Sequence, residues 1–306
     1  MKNKRMIYSF VCRGLFYWTG CLAFFFLLSC DDDFKNPGYP ATPSIKFKKI
    51  KFIEVGGVAD YDTLRLTISY KDGDSDLGLS NSNPADSRYP YHYMNYFLET
   101  GEGDTNRVVS ETIGTYEVIR TDPGAGLLVT SKTRQKAGYS YLPPYNNTSC
   151  LNYTFLQALV SIHSADETFD IRDTIVLEGK KFIRFNEAVL YAMNENYYNL
   201  GVEFYQSDDG INFTEFDWFA EYCISYNGRF PFIGDKRSGT ISVDRGIFKI
   251  HVKTPWEGEI RYSMANTSFL QIFGDRYVKL KITIKDRTLH TSNTIETPAF
   301  KLKDIK

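Results

Sequence analysis

The sequence predicts a mainly β protein, its antiparallel strands packed as sandwiches. Three observations predict it: two-residue alternation in the clearest segments, turn-forming clusters between them, and no long amphipathic helical stripe. The first strand signal is Asp62–Tyr70 (DTLRLTISY). Leu64, Leu66, Ile68 and Tyr70 fall on one face and Arg65, Thr67 and Ser69 on the other, the pattern of a strand wet on one side. Phe155–Ile162 (FLQALVSI) and Ile247–Lys253 (IFKIHVK) alternate less cleanly. Tyr277–Lys285 (YVKLKITIK) is strict, with Val278, Leu280, Ile282 and Ile284 inward and Lys279, Lys281, Thr283 and Lys285 outward. Gly, Asn, Asp and Pro punctuate these runs at Asp72–Gly78, Gly101–Asn106, Asp122–Gly126, Asp208–Gly210 and Thr254-Pro255. At most one short helix is expected, over Asn186–Met193, stopped by Asn194–Asn199.

The 306 residues are 42% apolar, 24% charged and 16% aromatic, which supplies a buried core and excludes disorder, collagen and a coiled coil. A formal net charge of −1 offers no positive field, so nucleic acid is not an expected partner.

Residues 1–14 carry Lys2, Lys4, Arg5 and Arg13 with no acid, and Leu15–Ser29 is an apolar run. At 15 residues it is shorter than the ~20 that a membrane-spanning helix needs, so it reads as a secretory signal over residues 1–29. Leu27-Leu28-Ser29-Cys30 resembles the lipobox of bacterial lipoproteins, whose cysteine is acylated and becomes the mature N-terminus. Several acyl chains, each contributing ~0.8 kcal/mol per buried CH₂, would hold Cys30 durably in a bilayer. Asp31, Asp32 and Asp33 follow at once and resemble the acidic export signal of Bacteroidota surface lipoproteins; a solvated spacer is the plainer reading. Without residues 1–29 the chain carries 32 Lys/Arg against 37 Asp/Glu, a net of about −5.

Two segments read strand, polar turn, strand: Val160–Val176 (VSIHSADETFDIRDTIV) and Ile282–Ile295 (ITIKDRTLHTSNTI). Each resembles the last hairpin of an immunoglobulin-like or fibronectin-like sandwich. The echo divides the chain into the signal at 1–29, a lipidated, acidic and Pro-rich tether at 30–42, a first sandwich at 43–179 with a long insertion, and a second at 180–306. One continuous, elaborated sandwich is the alternative.

The sharpest chemical feature is Asp72-Gly73-Asp74-Ser75-Asp76-Leu77-Gly78-Leu79. Three alternating carboxylates either stay wet in a hairpin turn or hold a cation, and D-x-D-x-D is one way a single loop supplies several oxygens to a structural Ca²⁺. Leu77 and Asn83 stand where an EF-hand loop has Gly and a bidentate acid, so further ligands are needed, with Asp86, Glu99 and Asp104 as candidates. Ile68–Leu79, Leu142-Pro143-Pro144 and Val278–Pro298 together look like segments of a group of Bacteroidota outer-membrane lipoproteins with a DGDGDIGL-like loop. The resemblance covers about a third of the chain, lapses in its middle and meets Ser75 where the group commonly has Gly. It implies an outer-membrane address, facing the cell surface, and an immunoglobulin-like β-sandwich, and nothing catalytic.

There is no G-x-S-x-G, H-E-x-x-H, G-x-x-x-x-G-K-[ST] or helix-opening G-x-G-x-x-G, and none of the four histidines pairs with another at metal-ligand spacing. Ser161, His163 and Asp166 lie close in sequence, but a serine triad is defined by tertiary geometry. The expected protein is therefore not an enzyme; an envelope hydrolase is the least favoured reading. Aromatics outside clean alternation are the candidate binding surface: Tyr89, Tyr91, Tyr93 and Tyr96, with Trp218 in a second group, suited to stacking on sugar rings or anchoring a protein partner. Packing in the core is the competing use of those rings. Cys150 and Cys223, in an oxidising space, form a candidate disulfide. The expected function is a binding or scaffold subunit of an envelope complex, partnered by an outer-membrane β-barrel, with a glycan-binding module of a polysaccharide-uptake system as the alternative.

Overall fold

The computed structural model describes residues 37–55, 61–80, 82–101, 104–133, 153–165, 173–234, 236, 238–243 and 246–306. Its strands are β1 (Ser44–Ile53), β2 (Asp62–Lys71), β3 (Met94–Gly101), β4 (Asp104–Val108), β5 (Ser110–Ile113), β6 (Tyr116–Ile119), β7 (Leu127–Leu128), β8 (Tyr153–Ser161) and β9 (Asp173–Leu177). Then come β10 (Lys180–Met193), β11 (Leu200–Ser207), β12 (Thr214–Phe216), β13 (Gly239–Val243), β14 (Phe248–Thr254), β15 (Glu257–Asn266), β16 (Tyr277–Ile284) and β17 (Ile295–Glu296). Two five-residue helices, α1 (Trp218–Tyr222) and α2 (Phe269–Phe273), are the α-helices among the described residues.

The fold is mainly β, as the alternation predicts. A five-stranded antiparallel sheet runs β1-β2-β15-β14-β13, and a four-stranded one runs β12-β11-β16-β17. Their inward faces share one apolar cluster: Leu64, Leu66 and Ile68 of β2 and Ile260 and Met264 of β15 meet Phe204 of β11 and Leu280, Ile282 and Ile284 of β16. The β2 and β16 residues among these are ones the two strict alternations place on one face, and burying them gives the sandwich. The third sheet has the order β4-β3-β10-β8-β6-β5, with β7 on β3 and β9 on β10, and its own clusters around Phe185 and Val189. Its β6–β8 pair is parallel over two residue pairs.

Three expectations are corrected. The boundary at 179/180 is the turn of the β9–β10 hairpin, where Glu178 and Gly179 take positive φ. The sheets cross that point freely, because β2 pairs along its whole length with β15, and Tyr39–Lys306 forms one unit. The tether expected to run to residue 42 is already docked at Tyr39. Tyr39 Oη donates to Glu257 Oε2 (3.2 Å), and its ring lies 4.3 Å beneath the Lys71 ammonium. The short helix expected over Asn186–Met193 is the second half of β10, registered against β8 from Phe182 to Leu190. Cys30, Asp31, Asp32 and Asp33, with the whole signal segment, lie outside the described residues.

Candidate functional site

The Asp72–Leu79 loop leaves β2 at the end of the five-stranded sheet and runs beneath its neighbours. Its backbone is clamped at four points: Asp72 N–H donates to Trp256 O (2.9 Å), Gly73 N–H to Pro40 O (2.8 Å) and Leu79 N–H to Phe230 O (3.1 Å), while Leu77 O accepts from Ile233 N–H (2.9 Å). A Cβ on Gly73 would lie 2.1 Å from Tyr39 O, and one on Gly78 2.1 Å from Pro231 O, so neighbouring backbone excludes side chains at both places. Ser75 takes φ +60°, in the left-handed region that favours glycine. A wet hairpin turn, the simpler expectation, is not what forms: Asp72, Leu77 and Leu79 are all buried.

Leu77 forms a backbone bridge with Asp286, the second residue after β16. That bridge brings a fourth carboxylate to the loop. One oxygen each from Asp72, Asp74, Asp76 and Asp286 lies within 4.8 Å of the other three, and Asp74, Asp286 and His290 make an overlapping set of three within the same distance. Asp72 is 0% exposed and Asp286 3%. Asp72 Oδ2 accepts from Asp76 N–H (3.0 Å), whereas Asp72 Oδ1 and Asp76 Oδ1 are buried without a hydrogen-bond donor. Asp286 accepts from Thr288 Oγ1 (3.0 Å), His290 N–H (2.7 Å) and His290 Nδ1 (2.8 Å).

Two unit charges at that separation repel by roughly 3–4 kcal/mol at an effective dielectric near 20. Burial first, then the charges of Asp74 and Asp76, raise the Asp72 carboxyl well above the usual carboxylate range. Burial, then Asp286 and Asp74, push Asp76 up to about 6. The neighbouring lysines and arginine are engaged elsewhere. Lys71 sits over Tyr39, Lys285 Nζ donates to Glu195 O (3.4 Å) and Asn196 Oδ1 (3.3 Å), and Arg287 pairs with Asp86 at 2.6 Å.

The other candidate ligands are placed apart. Buried Asp86 takes Arg287 Nη2 and the Ser80 N–H (2.6 Å). Glu99 is buried in β3 and accepts the Gly101 N–H (2.9 Å), while Asp104 is exposed in β4. Asp286, which completes the cluster, could have been sought in the closing turn K-D-R-T-L-H because that turn follows the second strict strand, but nothing in the spacing links it to Asp72.

The aromatic candidates divide. Trp218 and Tyr96 are 4% and 3% exposed and belong to cores. Tyr91 donates its hydroxyl to Arg287 O and is half-buried. Tyr89 is 80% exposed and Tyr93 46%. Both line a cleft of about 590 Å³, and Tyr93 also lines a second of about 640 Å³ with Tyr191, Tyr198, Phe219, Glu203 and Lys285. Tyr93 stands edge-on to Tyr197, centroids 4.7 Å apart, and Tyr197 to Tyr198 at 5.0 Å. Burial, then the neighbouring phenols, push the Tyr198 hydroxyl up to about 12, so that hydroxyl stays a neutral donor. Sequence reasoning missed Tyr191, which lies within β10, and Tyr198, which lies in the Asn194–Asn199 stretch just before β11.

Cys223 is disulfide-bonded at the end of α1; Cys150 lies outside the described residues. Ser161 and His163 both turn to Thr121, Ser161 Oγ accepting its N–H (3.0 Å) and His163 Nε2 lying 3.0 Å from its hydroxyl; Asp166 lies outside the described residues. No family model matches the chain, and no curated protein or solved structure proved similar to it.

Proposed function

We propose that the chain is a lipid-anchored, non-catalytic binding subunit at the outer membrane, held through Cys30, facing the cell surface and working beside an outer-membrane β-barrel. Its ligand is a glycan, taken by the tyrosine-lined cleft. The address rests on Leu27–Cys30 and the acids that follow. The observation that carries the binding role is the cleft of about 640 Å³ that joins Tyr93, Tyr191 and Tyr198 to Glu203 and Lys285. That volume falls in the ~300–1,000 Å³ range of small-ligand sites. The phenol rings offer flat faces to the C–H side of a pyranose, while their hydroxyls and the two charged groups serve its hydroxyls.

Affinity electrophoresis of the full chain through a panel of polysaccharides tests this. Retardation by at least one glycan is expected, lost in Tyr93→Ala and Tyr198→Ala. Tyr91→Ala is a poor probe, since that hydroxyl is committed to Arg287 O. Passage unretarded through every glycan would end the glycan reading. A detergent-solubilised chain that crosslinks to no other envelope protein would end the subunit reading.

A further inference from the structure

The acidic cluster lies where the two sheets of the sandwich end together. Asp72, Asp74 and Asp76 follow β2 of the five-stranded sheet, and Asp286 follows β16 of the four-stranded sheet. Two oxygens bound to one ion at about 2.4 Å, the Ca²⁺–oxygen distance, can lie at most about 4.8 Å apart, and no pair in the set exceeds that limit. An acidic cluster alone would mean little. Here, however, Asp72 is fully buried, its Oδ1 has no donor, and Asp76 Oδ1 is likewise buried and without one. A buried carboxylate oxygen left without hydrogen or cation is costly, and native structures rarely keep one without a ligand. Three nearby cationic residues, Lys71, Lys285 and Arg287, all bind elsewhere, so no lysine or arginine supplies the missing charge, and His290 reaches Asp286 alone of the four carboxylates by hydrogen bond.

We infer that Asp72, Asp74, Asp76 and Asp286 together bind one Ca²⁺, which fastens the end of one sheet to the end of the other. The chemistry is that of a hard divalent cation among carboxylates, with water filling the remaining positions. Asp74, the exposed member, closes the sphere from the solvent side, and Asp72 closes it from within. Asp286 is the residue that makes the site an inter-sheet one, being more than two hundred positions from the other three. The ion thus joins segments that the chain brings together only when the sandwich is complete, so its occupancy reports the folded state. This role is independent of the tyrosine cleft, whose lining shares no residue with the four carboxylates.

The test uses the detergent-solubilised full chain, stripped with chelator and titrated with CaCl₂ or MgCl₂ by equilibrium dialysis, with hydrogen exchange followed over 72–79 and 286–293. One Ca²⁺ per chain is expected, at or below the ~10⁻⁴–10⁻³ M range of extracellular modules, with Mg²⁺ weaker by about tenfold or more. Both segments should gain protection together, and the melting temperature should rise. Asp286→Asn should abolish saturation below about 10 mM, a loss of at least about tenfold from that range. Asp74 is exposed, so Asp74→Asn leaves the fold undisturbed and should weaken binding about tenfold, while Asp208→Asn, outside the cluster, should bind as the parent does. Absence of saturable Ca²⁺ in the stripped parent would overturn the site, as would parent-like binding by both Asp286→Asn and Asp74→Asn. Equal affinity for Mg²⁺ would overturn the assignment to the larger ion, and protection confined to 72–79 would overturn the inter-sheet role.

Discussion

Trp218 separates a binding platform from a core residue more sharply than any other position. It opens α1, where Asp217 caps the first turn by accepting from Phe219 N–H (2.9 Å) and Ala220 N–H (3.0 Å). Six rings surround it: Phe204 at 5.6 Å, Phe216 at 5.1 Å, Tyr222 at 5.7 Å, Tyr226 at 5.1 Å, Phe269 at 5.5 Å and Phe273 at 5.7 Å. A buried aromatic of this size hides ~150–250 Å², worth about 4–6 kcal/mol at ~25 cal/mol per Å² as an upper bound. Measured truncations of buried Phe and Trp to Ala cluster at about 3–5 kcal/mol, so Trp218→Ala should cost that much, with no helix-propensity penalty to add. Trp218→Phe behaves differently. The indole Nε1–H is buried with no acceptor among the described residues, a burden of about 1–3 kcal/mol that phenylalanine removes. Its relief offsets most of the lost packing, leaving a net cost of no more than about 1.5 kcal/mol. Urea unfolding followed by circular dichroism gives both numbers. A Trp218→Ala cost below about 1 kcal/mol would return the indole to the surface. A Trp218→Phe cost equal to that of alanine would mean the N–H has a partner.

Two further outcomes are expected. Gly258 of β15 faces β14 and β2, and a Cβ there would lie 2.4 Å from His251 O and 2.7 Å from Tyr70 Oη, so Gly258→Ala should lower the urea midpoint by the equivalent of about 1–3 kcal/mol instead of raising it as glycine-to-alanine changes in strands usually do. A raised midpoint would refute the close approach. Asp209 collects the Asn212 N–H, the Ser207 hydroxyl, the Ile211 N–H and the Asn212 side-chain amide, which hold its carboxyl below the usual range. A depressed folded-state pKa stabilises fully above the unfolded value of ~3.9 and loses that support as pH falls. The melting-temperature gap between parent and Asp209→Asn should therefore be constant above about pH 5 and shrink between about pH 4 and 2; a gap that does not change with pH would show that the charge plays no part.

What was legible in the sequence follows from which faces water touches. β2 and β16 each have one wet face, so their side chains alternate, and Leu64, Leu66, Ile68, Leu280, Ile282 and Ile284 are all in the core as read. β10 is central in its sheet, and Glu187, Ala188, Val189 and Leu190 are buried in succession, which erases the period of two and left a helix as the nearest pattern. The division at 179/180 failed for a related reason: repeated hairpins look alike wherever they occur, while the pairing of β2 with β15 spans almost two hundred residues and leaves no local trace. Trp218 was misplaced because a five-residue helix shows too few positions for an apolar stripe to be recognised. Of the acidic site, three members were visible because one loop carries them; Asp286 was not, because proximity across sheets is a property of the completed fold.

The turn after β16 also explains why the cluster stays short of positive charge. Arg287 directly follows Asp286 and has the reach to neutralise the carboxylates beside it. Instead it is held by Asp86 Oδ1 at 2.6 Å and stacked over the Phe232 ring at 4.7 Å, while its carbonyl receives the Tyr91 hydroxyl. Asp86 is itself 0% exposed and also binds the Ser80 N–H, so releasing the arginine would strand a buried carboxylate, a loss of about 3–5 kcal/mol when one member of a buried pair is removed. The guanidinium is therefore held by Asp86 and not by the four acids. An arginine placed next to the cluster and then committed elsewhere leaves the four carboxylates without a guanidinium partner, which is the deficit the inferred Ca²⁺ would fill with a single particle.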